Sequence, residues 1–513
     1  MQRIAMIDIG SNSARLVINR IHSDYSYNMV YNQKETLRLS QKVDEAGMFT
    51  PEGVKTTVST LNNFAHMCEV FKADKVLAVC TAAIRNAKNS EQVISDLQKQ
   101  THIPVRVITG EEEANYAFLG AINSLDIQDA LLFDLGGGSV ELILVRDRRV
   151  VFSISLPVGT VNTTDKFPVE NKSLPENDNN YKKMSEHINK ALSKVAWIKG
   201  LNLPLVGIGG TARTLAKIIQ RRSGYNYYKL HNYQFTYDMF AEFFSALKKT
   251  PRNGRYRIPG LSADRADIIL AGTTIIDALF KTTGAQEFIT SGYGVRDGLF
   301  YEYYFSVLHN EDKVMDNVLE HSIKVAQDLY HLDGVHAARV TFFATKMFKA
   351  WYTLHRLPKN YEKILQVAGQ LHDIGISINY YNHEQHSAYL IESIQLFGVT
   401  HFEQMLSAVV ACWHNGISQG YFKHHVYNDV LMEQDWQNAR KLAVLLTLAE
   451  ALDYSETGSI KDIDVSFGKN GSVLVFVEPA DGRKKPSVEI AQVRAKANLF
   501  KKEFGVELIV GVK

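Results

Sequence analysis

The period of the apolar positions changes along the chain. Residues 1–300 alternate strand-like runs, such as RIAMIDIG and ARLVINRI, with helix-period stretches, such as Pro51 to Phe71. The strand VLAVC, a helix near 90–100, the strand PVRVITG and a helix from Glu111 to Asn123 continue the pattern. Alternation of this kind predicts an α/β fold. From about Val307 to Thr457 the strand signals nearly vanish and the helical period dominates, as in KILQVAGQLHDIG and KLAVLLTLAEALDYS. That region reads as an all-helical domain. The tail changes again: IDVSFG, SVLVFVEP, a helix from about Val488 to Phe504, and VELIVGVK suggest a small α+β unit. A polar stretch, KFPVENKSLPENDNNYKK, reads as a surface loop. The expected divisions are 1–124, 125–305, 306–458 and 459–513.

Within this pattern lies an internal repeat. Asp8–Ile18 reads DIGSNSARLVI and Asp134–Leu144 reads DLGGGSVELIL, 126 residues apart. Each is an apolar strand ending in Asp, a turn of small residues, and a second apolar strand. Glycine and serine in such a turn permit tight φ angles and expose backbone N–H groups to an anion. Two such hairpins from duplicated halves can face each other across a cleft and grip phosphate from both sides. A third loop, GIGGTAR (Gly207–Arg213), follows the strand LPLV and opens a helix. Its N–H groups and positive helix end also suit phosphate. One glycine loop alone is weak evidence. Three in one α/β region are not.

Composition adds constraints. At roughly 150 residues per domain, 513 residues allow three or four domains. Hydrophobic residues make up 45% and charged residues 22%, which excludes a disordered or collagen-like chain. Three widely spaced cysteines, Cys68, Cys80 and Cys412, argue against a disulfide framework and for a reducing cytoplasm. The N-terminus lacks signal-peptide features, and no apolar run reaches the ~18 residues of a spanning helix, so no membrane role is expected. The net charge of +2 hides an imbalance. Between Leu201 and Ala263, ten basic residues face only Asp238 and Glu242, a local +8 that leaves −6 for the rest. This basic track starts at the third glycine loop and can guide a polyanion toward it. Twelve of the 17 histidines fall between His309 and His425, which marks a domain with its own chemistry.

The strings DIGSNSARLVI, TAAIRNAKN, VITGEEEA, DLGGGSVELIL, GIGGTAR, PGLSADRADIILAG and SGYGVRDG run in one order across residues 4–300. Together they resemble the exopolyphosphatase/guanosine pentaphosphate phosphohydrolase (Ppx/GppA) family, within the acetate/sugar kinase–Hsp70–actin superfold. The resemblance implies two duplicated α/β domains, an all-α HD-type domain and a small α+β cap. It implies Mg²⁺-dependent hydrolysis of a terminal phosphoanhydride, either of inorganic polyphosphate or at the 5′ end of guanosine pentaphosphate (pppGpp, yielding ppGpp). A homodimer is also implied, with no nucleic-acid partner. Gly10, Ser11, Asn12, Ser13, Gly136, Gly137, Gly138 and Ser139 are then expected on the phosphates, as are Gly209, Gly210 and Thr211. Asp134 and Glu141 are expected to hold Mg²⁺, with help from Asp8. Glu113 matches the family's catalytic glutamate, the base or orienter for the attacking water. Glu111 and Glu112 read as solvated charges at a helix N-terminus. Arg85 matches a family arginine and Arg15 could act similarly. Asn115 stands where many members carry arginine, which removes one accessory ionic contact.

In the histidine-rich region the HD-type resemblance places metal ligands at His336, His372, Asp373 and Asp453. Their chemistry suits Mn, Fe, Zn or Ni. His386 and His414 are plausible ligands for a second metal, with His383 weaker. The set could support a second metal-dependent phosphohydrolase. Against it stands a relic domain with a structural role. His309, His321, His331, His355, His401, His424 and His425 have no spacing argument and are expected at the surface. Two other classes share parts of the pattern. One is a cleft that senses polyphosphate or alarmone without cutting it. The other is a sugar kinase or chaperone-type ATPase. Glu113, Asp134 and Glu141 argue against the first, and GEEEA with the HD-like region against the second.

Overall fold

Each copy of the repeat closes as an antiparallel hairpin whose strands are largely buried along their length, most completely in the second copy. β1 (Gln2–Ile9) pairs with β2 (Ser13–Ile21), and β6 (Ala130–Leu135) pairs with β7 (Val140–Arg146). The computed structural model describes the chain except residues 171, 419, 423–426, 428–429, 469–470 and 481–485.

The first sheet has the order β3-β2-β1-β4-β5, completed by β3 (Tyr27–Thr36), β4 (Lys75–Cys80) and β5 (Val105–Val107). The second has the order β10-β11-β9-β6-β7-β8, completed by β8 (Arg149–Leu156), β9 (Leu205–Ile208), β10 (Gln234–Thr236) and β11 (Glu287–Thr290). In both, an antiparallel meander continues into parallel neighbours: β4 beside β1, then β5; β9 beside β6, then β11. The sequence repeat is therefore a topological repeat. Each sheet has its own apolar core, one built on Ile7, Leu16, Leu61 and Phe64, the other on Phe133, Leu142, Leu215 and Phe288.

Helices pack on these sheets because their apolar faces have nowhere else to go. Pro51–Val70 starts at Thr50, whose side chain accepts from Gly53 N–H, with Pro51 in the first turn. Gly110–Ile122 starts with a capping box between Thr109 and Glu112. The expected loop over residues 166–183 is partly helical. Asp178 accepts from Asn180 N–H and starts a helix at Asn179, so a cap overrides the polar composition there.

The chain divides into two compact units, Met1–Val318 and Leu319–Lys513. The main boundary thus lies beyond the expected 305, because the helix Val295–Val307 packs on Gly110–Ile122 inside the first unit. In the second unit the elements up to Ala451 are helices, and no strand occurs there among the described residues. They share that unit with a three-stranded sheet, β12 (Ile460–Phe467), β13 (Val473–Pro479) and β14 (Leu508–Val512), in that order. The single helix expected over 488–504 is two, Ser487–Ala495 and Ala497–Phe504, broken at Lys496. No helix among the described residues is long and apolar enough to cross a membrane.

Candidate active site

The first unit holds a cleft at the carboxyl ends of β1, β4, β6 and β9. Its walls include Asp8, Gly10 to Ser13, Arg15, Glu113, Asp134, Gly136 to Ser139 and Gly209 to Thr211. The structure thus gathers nearly all the expected cleft residues. Both loops close alike: Gly10 N–H donates to Ser13 O at 3.1 Å and Gly136 N–H to Ser139 O at 3.0 Å. They also touch. A β-carbon on Gly137 would lie 3.1 Å from Ser11 Cβ, and one on Gly138 3.2 Å from Ser11 Oγ. Glycine there allows the facing loops to approach.

Register explains the electrostatics. Residues directly opposite in an antiparallel pair project to the same face. In the first hairpin Asp8 lies opposite Arg15, and in the second Asp134 lies opposite Glu141. One slot therefore carries a cation in one half and an acid in the other. Asp8 has its countercharge as a strand neighbour, whereas Asp134 has a second acid, Glu141, in that place. Burial, then Glu141 and Asp8, raise Asp134 to about 7 despite Arg213 and Arg15. Glu141, 1% exposed, is raised by burial although Ser139 and Ser155 bond its carboxylate. Ser155 Oγ donates to Glu141 Oε1 at 2.8 Å. Oxygen donors that crowd and repel one another fit a hard divalent cation such as Mg²⁺.

Glu113 is 8% exposed. It follows the capping residue Glu112, and one further helical step of about 100° turns its carboxylate inward. Glu112 instead caps the helix and pairs with Arg106 at 2.7 Å, so it is not merely solvated. Burial and Glu141 push Glu113 well above the usual carboxylate range, opposed by Arg85. Arg85 Nη1 donates to Glu113 Oε2 at 2.6 Å and to Ile108 O at 3.0 Å. The short helix Ala82–Arg85, directly after β4, sets that reach. Arg85 is thus the partner of Glu113.

Several cleft residues had no role assigned from sequence: Thr81, Thr160, Arg265, Arg296 and Asp297. Arg265 and Arg296 lie in strings quoted above, SADRAD and SGYGVRDG, which is the signal that could have found them. Arg213, counted above only as part of the basic track, is also in the cleft. Burial and the guanidiniums of Arg15, Arg296 and Arg265 press Arg213 down to about 9. Guanidiniums that repel one another in a cleft favour bound anions. Gly209 has φ +89°, and a β-carbon there would fall 2.7 Å from Asp134 Oδ1, so glycine makes room for that carboxylate. The rest of the basic track is less uniform than its charge count. Arg255 is 2% exposed and Arg222 pairs with Glu242 at 2.7 Å. Lys217 and Arg221 are exposed, one turn apart on the helix Gly209–Arg222.

In the second unit, His336 Nε2 and His372 Nε2 lie 3.1 and 2.9 Å from Glu450 Oε2. A second group joins Asp373 Oδ1, His383 Nε2 and His414 Nε2, with His383 at 3.2 Å from each of the others and Asp373 to His414 at 3.6 Å. Two expectations change. Asp453 belongs to neither group: its Oδ2 accepts from His336 Nδ1 at 3.0 Å and its Oδ1 from Arg339 Nε at 2.8 Å. Glu450, three residues earlier in the last turn of the helix Glu433–Ala451, points at the imidazoles instead. His383, the first residue of the helix His383–Ser393, reaches Asp373, whereas His386, nearly a turn further on, is in neither group. Nor are all the other histidines at the surface. His355 is fully buried, donating from Nε2 to Phe348 O at 2.7 Å, and His401 is buried at a helix start. His424 and His425 lie outside the described residues.

A duplicated α/β pair with two small-residue hairpins meeting over acidic and guanidinium groups defines a phosphate-handling cleft of the actin-like class. The chain belongs to the Ppx/GppA phosphatase family, whose model matches residues 17–306, and residues 318–477 match the model for domain III of the same phosphatases. It is 27% identical over 409 residues to a guanosine-5′-triphosphate,3′-diphosphate pyrophosphatase of Vibrio cholerae, covering 77% of each chain. It is 28% identical to a bifunctional 3-dehydroquinate synthase/phosphatase of Fusobacterium nucleatum, covering 56% of this chain but only 44% of that protein. Among solved structures, the Aquifex aeolicus family member is 33% identical with a TM-score of 0.52, covering 60% of this chain and 99% of that one. An exopolyphosphatase from Cytophaga hutchinsonii is 25% identical with a TM-score of 0.55, covering 60% and 98%. The protein is accordingly a phosphatase of the hydrolase class.

Proposed function

We propose that the protein is an exopolyphosphatase that hydrolyses the terminal phosphoanhydride of inorganic polyphosphate with Mg²⁺. The observation that carries this is the register slot where Arg15 opposes Asp8 on one hairpin and Glu141 opposes Asp134 on the other. The loop N–H groups and Arg15, Arg213, Arg265 and Arg296 hold the terminal phosphates. Asp134 and Glu141 would hold Mg²⁺, which when bound would neutralise charge on the phosphoryl oxygens. Glu113 takes a proton from the attacking water. The water oxygen bonds to the terminal phosphorus, the bridging P–O bond breaks, and the shortened chain leaves with that oxygen. Arg85 steadies Glu113 while burial raises its basicity toward the working pH, the range in which a general base is most effective. What supports the long-chain substrate is the exposed Lys217 and Arg221, on the helix leading away from the third loop.

The second reading is pppGpp 5′-phosphohydrolysis. It uses the same cleft and is favoured by the likeness to the Vibrio cholerae pyrophosphatase over 77% of both chains. Phosphate release from long polyphosphate and from pppGpp, measured side by side, separates the two. Glu113→Gln is expected to cut turnover on the preferred substrate by about 10²–10⁴-fold while leaving binding intact. Unchanged turnover overturns the assignment of the base.

A further inference from the structure

A second cavity, of about 260 Å³, lies in the first unit and is lined from both halves of the repeat. Arg38 and Gln41 come from the first half, and Asp165, Arg252, Arg255 and Asp267 from the second. The phosphate cleft uses none of the six. The space holds an oxyanion with several waters.

Arg255 is 2% exposed, so its cation is kept almost dry. Its Nε and Nη2 are buried and make no hydrogen bond among the described residues. These two nitrogens lie on one edge of the guanidinium and present parallel N–H groups, the fork that fits two oxygens of one phosphate or carboxylate. Burial and Arg252 lower Arg255 to about 10, so it stays charged at neutral pH. A buried cation with two unmet donors is costly until an anion meets them.

The neighbouring acids are already engaged. Asp267 accepts from Arg38 Nη1 at 3.1 Å, with Arg252 Nη2 4.0 Å away. Asp165 accepts from Gln41, and burial raises it, with Asp267 adding to the rise. A carboxyl that holds a proton more readily can donate to an oxyanion instead of repelling it. Three guanidiniums against two acids leave the cavity with one surplus cation. Apolar Phe167 and Leu270 complete its wall and limit screening. The chain also ties the cavity to the cleft. Arg38 N–H donates to Asn12 O in the first loop at 2.9 Å. Asp165 lies on the helix Thr160–Lys166, whose first residue is in the cleft wall, and Asp267 is two residues from Arg265.

We propose that this cavity is a second oxyanion site, in which the Nε–Nη2 edge of Arg255 grips a phosphoryl group with help from Arg252 and Arg38. That group is either free orthophosphate, which any phosphatase releases, or an inner phosphate of a polyphosphate chain whose end lies in the cleft. Only the second source rests on the exopolyphosphatase reading.

The test is hydrogen exchange of the full-length protein, read on peptides from residues 164–169 and 250–258, which border the cavity but not the cleft. The probes are orthophosphate on wild type and, separately, long polyphosphate on Glu113→Gln. At least one probe is expected to protect both peptides. Arg255→Met is expected to lose that protection. Arg252→Ala, 40% exposed at the rim, should weaken it by about 10-fold or more, and it carries the test if Arg255→Met does not fold. Arg15→Met, in the cleft, should keep the orthophosphate protection. Protection by orthophosphate identifies the free ion and stands even where polyphosphate is not a substrate. Protection by polyphosphate alone identifies the chain, and Arg252→Ala should then raise KM for long polyphosphate. No protection by either probe, or unchanged affinity in Arg252→Ala, would overturn the proposal. Loss of orthophosphate protection in Arg15→Met would overturn the site's separation from the cleft.

Discussion

Replacing Asp134 by Asn should stabilise the protein while destroying its activity. In the folded chain burial and two neighbouring acids raise Asp134 from 3.8 to about 7. Between those values the folded state keeps a proton that the unfolded state has released. Stability therefore falls as pH rises through the window, and the cost is complete above about pH 7. A shift of about three pKa units corresponds to about 4 kcal/mol. Asp134 is part-exposed, so water screens some of this and about 2 kcal/mol is the expected cost. Asn carries no charge at any pH and also relieves Glu113, which Asp134 helps to raise. Urea unfolding in chelator, read by hydrogen exchange of peptides from residues 130–146, isolates the unit concerned. Asp134→Asn should match wild type near pH 4 and exceed it by about 2 kcal/mol near pH 8. Saturating Mg²⁺ should cancel the difference by binding wild type alone. Parallel pH curves for the two proteins in chelator would refute the reasoning, because the acidic pair would then cost nothing.

Gly209→Ala should cost about 1–3 kcal/mol for its left-handed φ and should lower Mg²⁺ affinity by displacing Asp134, read as a raised Mg²⁺ requirement for phosphate release. Lys217→Ala with Arg221→Ala should raise KM for long polyphosphate and flatten its salt dependence, with kcat unchanged, since exposed charges steer a polyanion without touching the reacting bond. Arg85→Ala should lower kcat and shift the alkaline-favouring limb of the pH profile upward, because the guanidinium that favours ionised Glu113 is gone.

Much of the cleft was legible because its signals are local. A short apolar run, an Asp at its end and a small-residue turn write the hairpins directly into the sequence, and duplication writes them twice. The capping box at Thr109 and Glu112 likewise fixes which glutamate of GEEEA turns inward. The ligand sets of the helical unit were legible only as a region. Glu450 lies in the last turn of the helix Glu433–Ala451 and Asp453 in the turn just beyond it, and Asp453 is drawn to Arg339, more than a hundred residues away in sequence. His383 and His386 differ by less than a turn, and the position of Asp373 decides which of them meets its carboxylate. Arg265, at the end of the short 3-10 helix Ala263–Arg265, and Arg296, in the first turn of the helix Val295–Val307, reach the cleft from separate elements, so no spacing rule joins them to Arg15 or Arg213. Charge counting was misleading at Arg255 for a similar reason, since a sum over sequence does not know which guanidinium the fold buries.

The exchange of Arg15 for Glu141 at one register slot has a consequence for regiochemistry. A polyphosphate end is a row of nearly identical tetrahedra, and a cleft lined by two identical hairpins would have no preferred face for the attacking water. Placing a fixed cation on one wall and an acidic pair on the other breaks that mirror-like ambiguity. On the proposed reading, the exchange of Arg15 for Glu141 at that slot is one of the differences between the two hairpins that would set which face the attacking water takes.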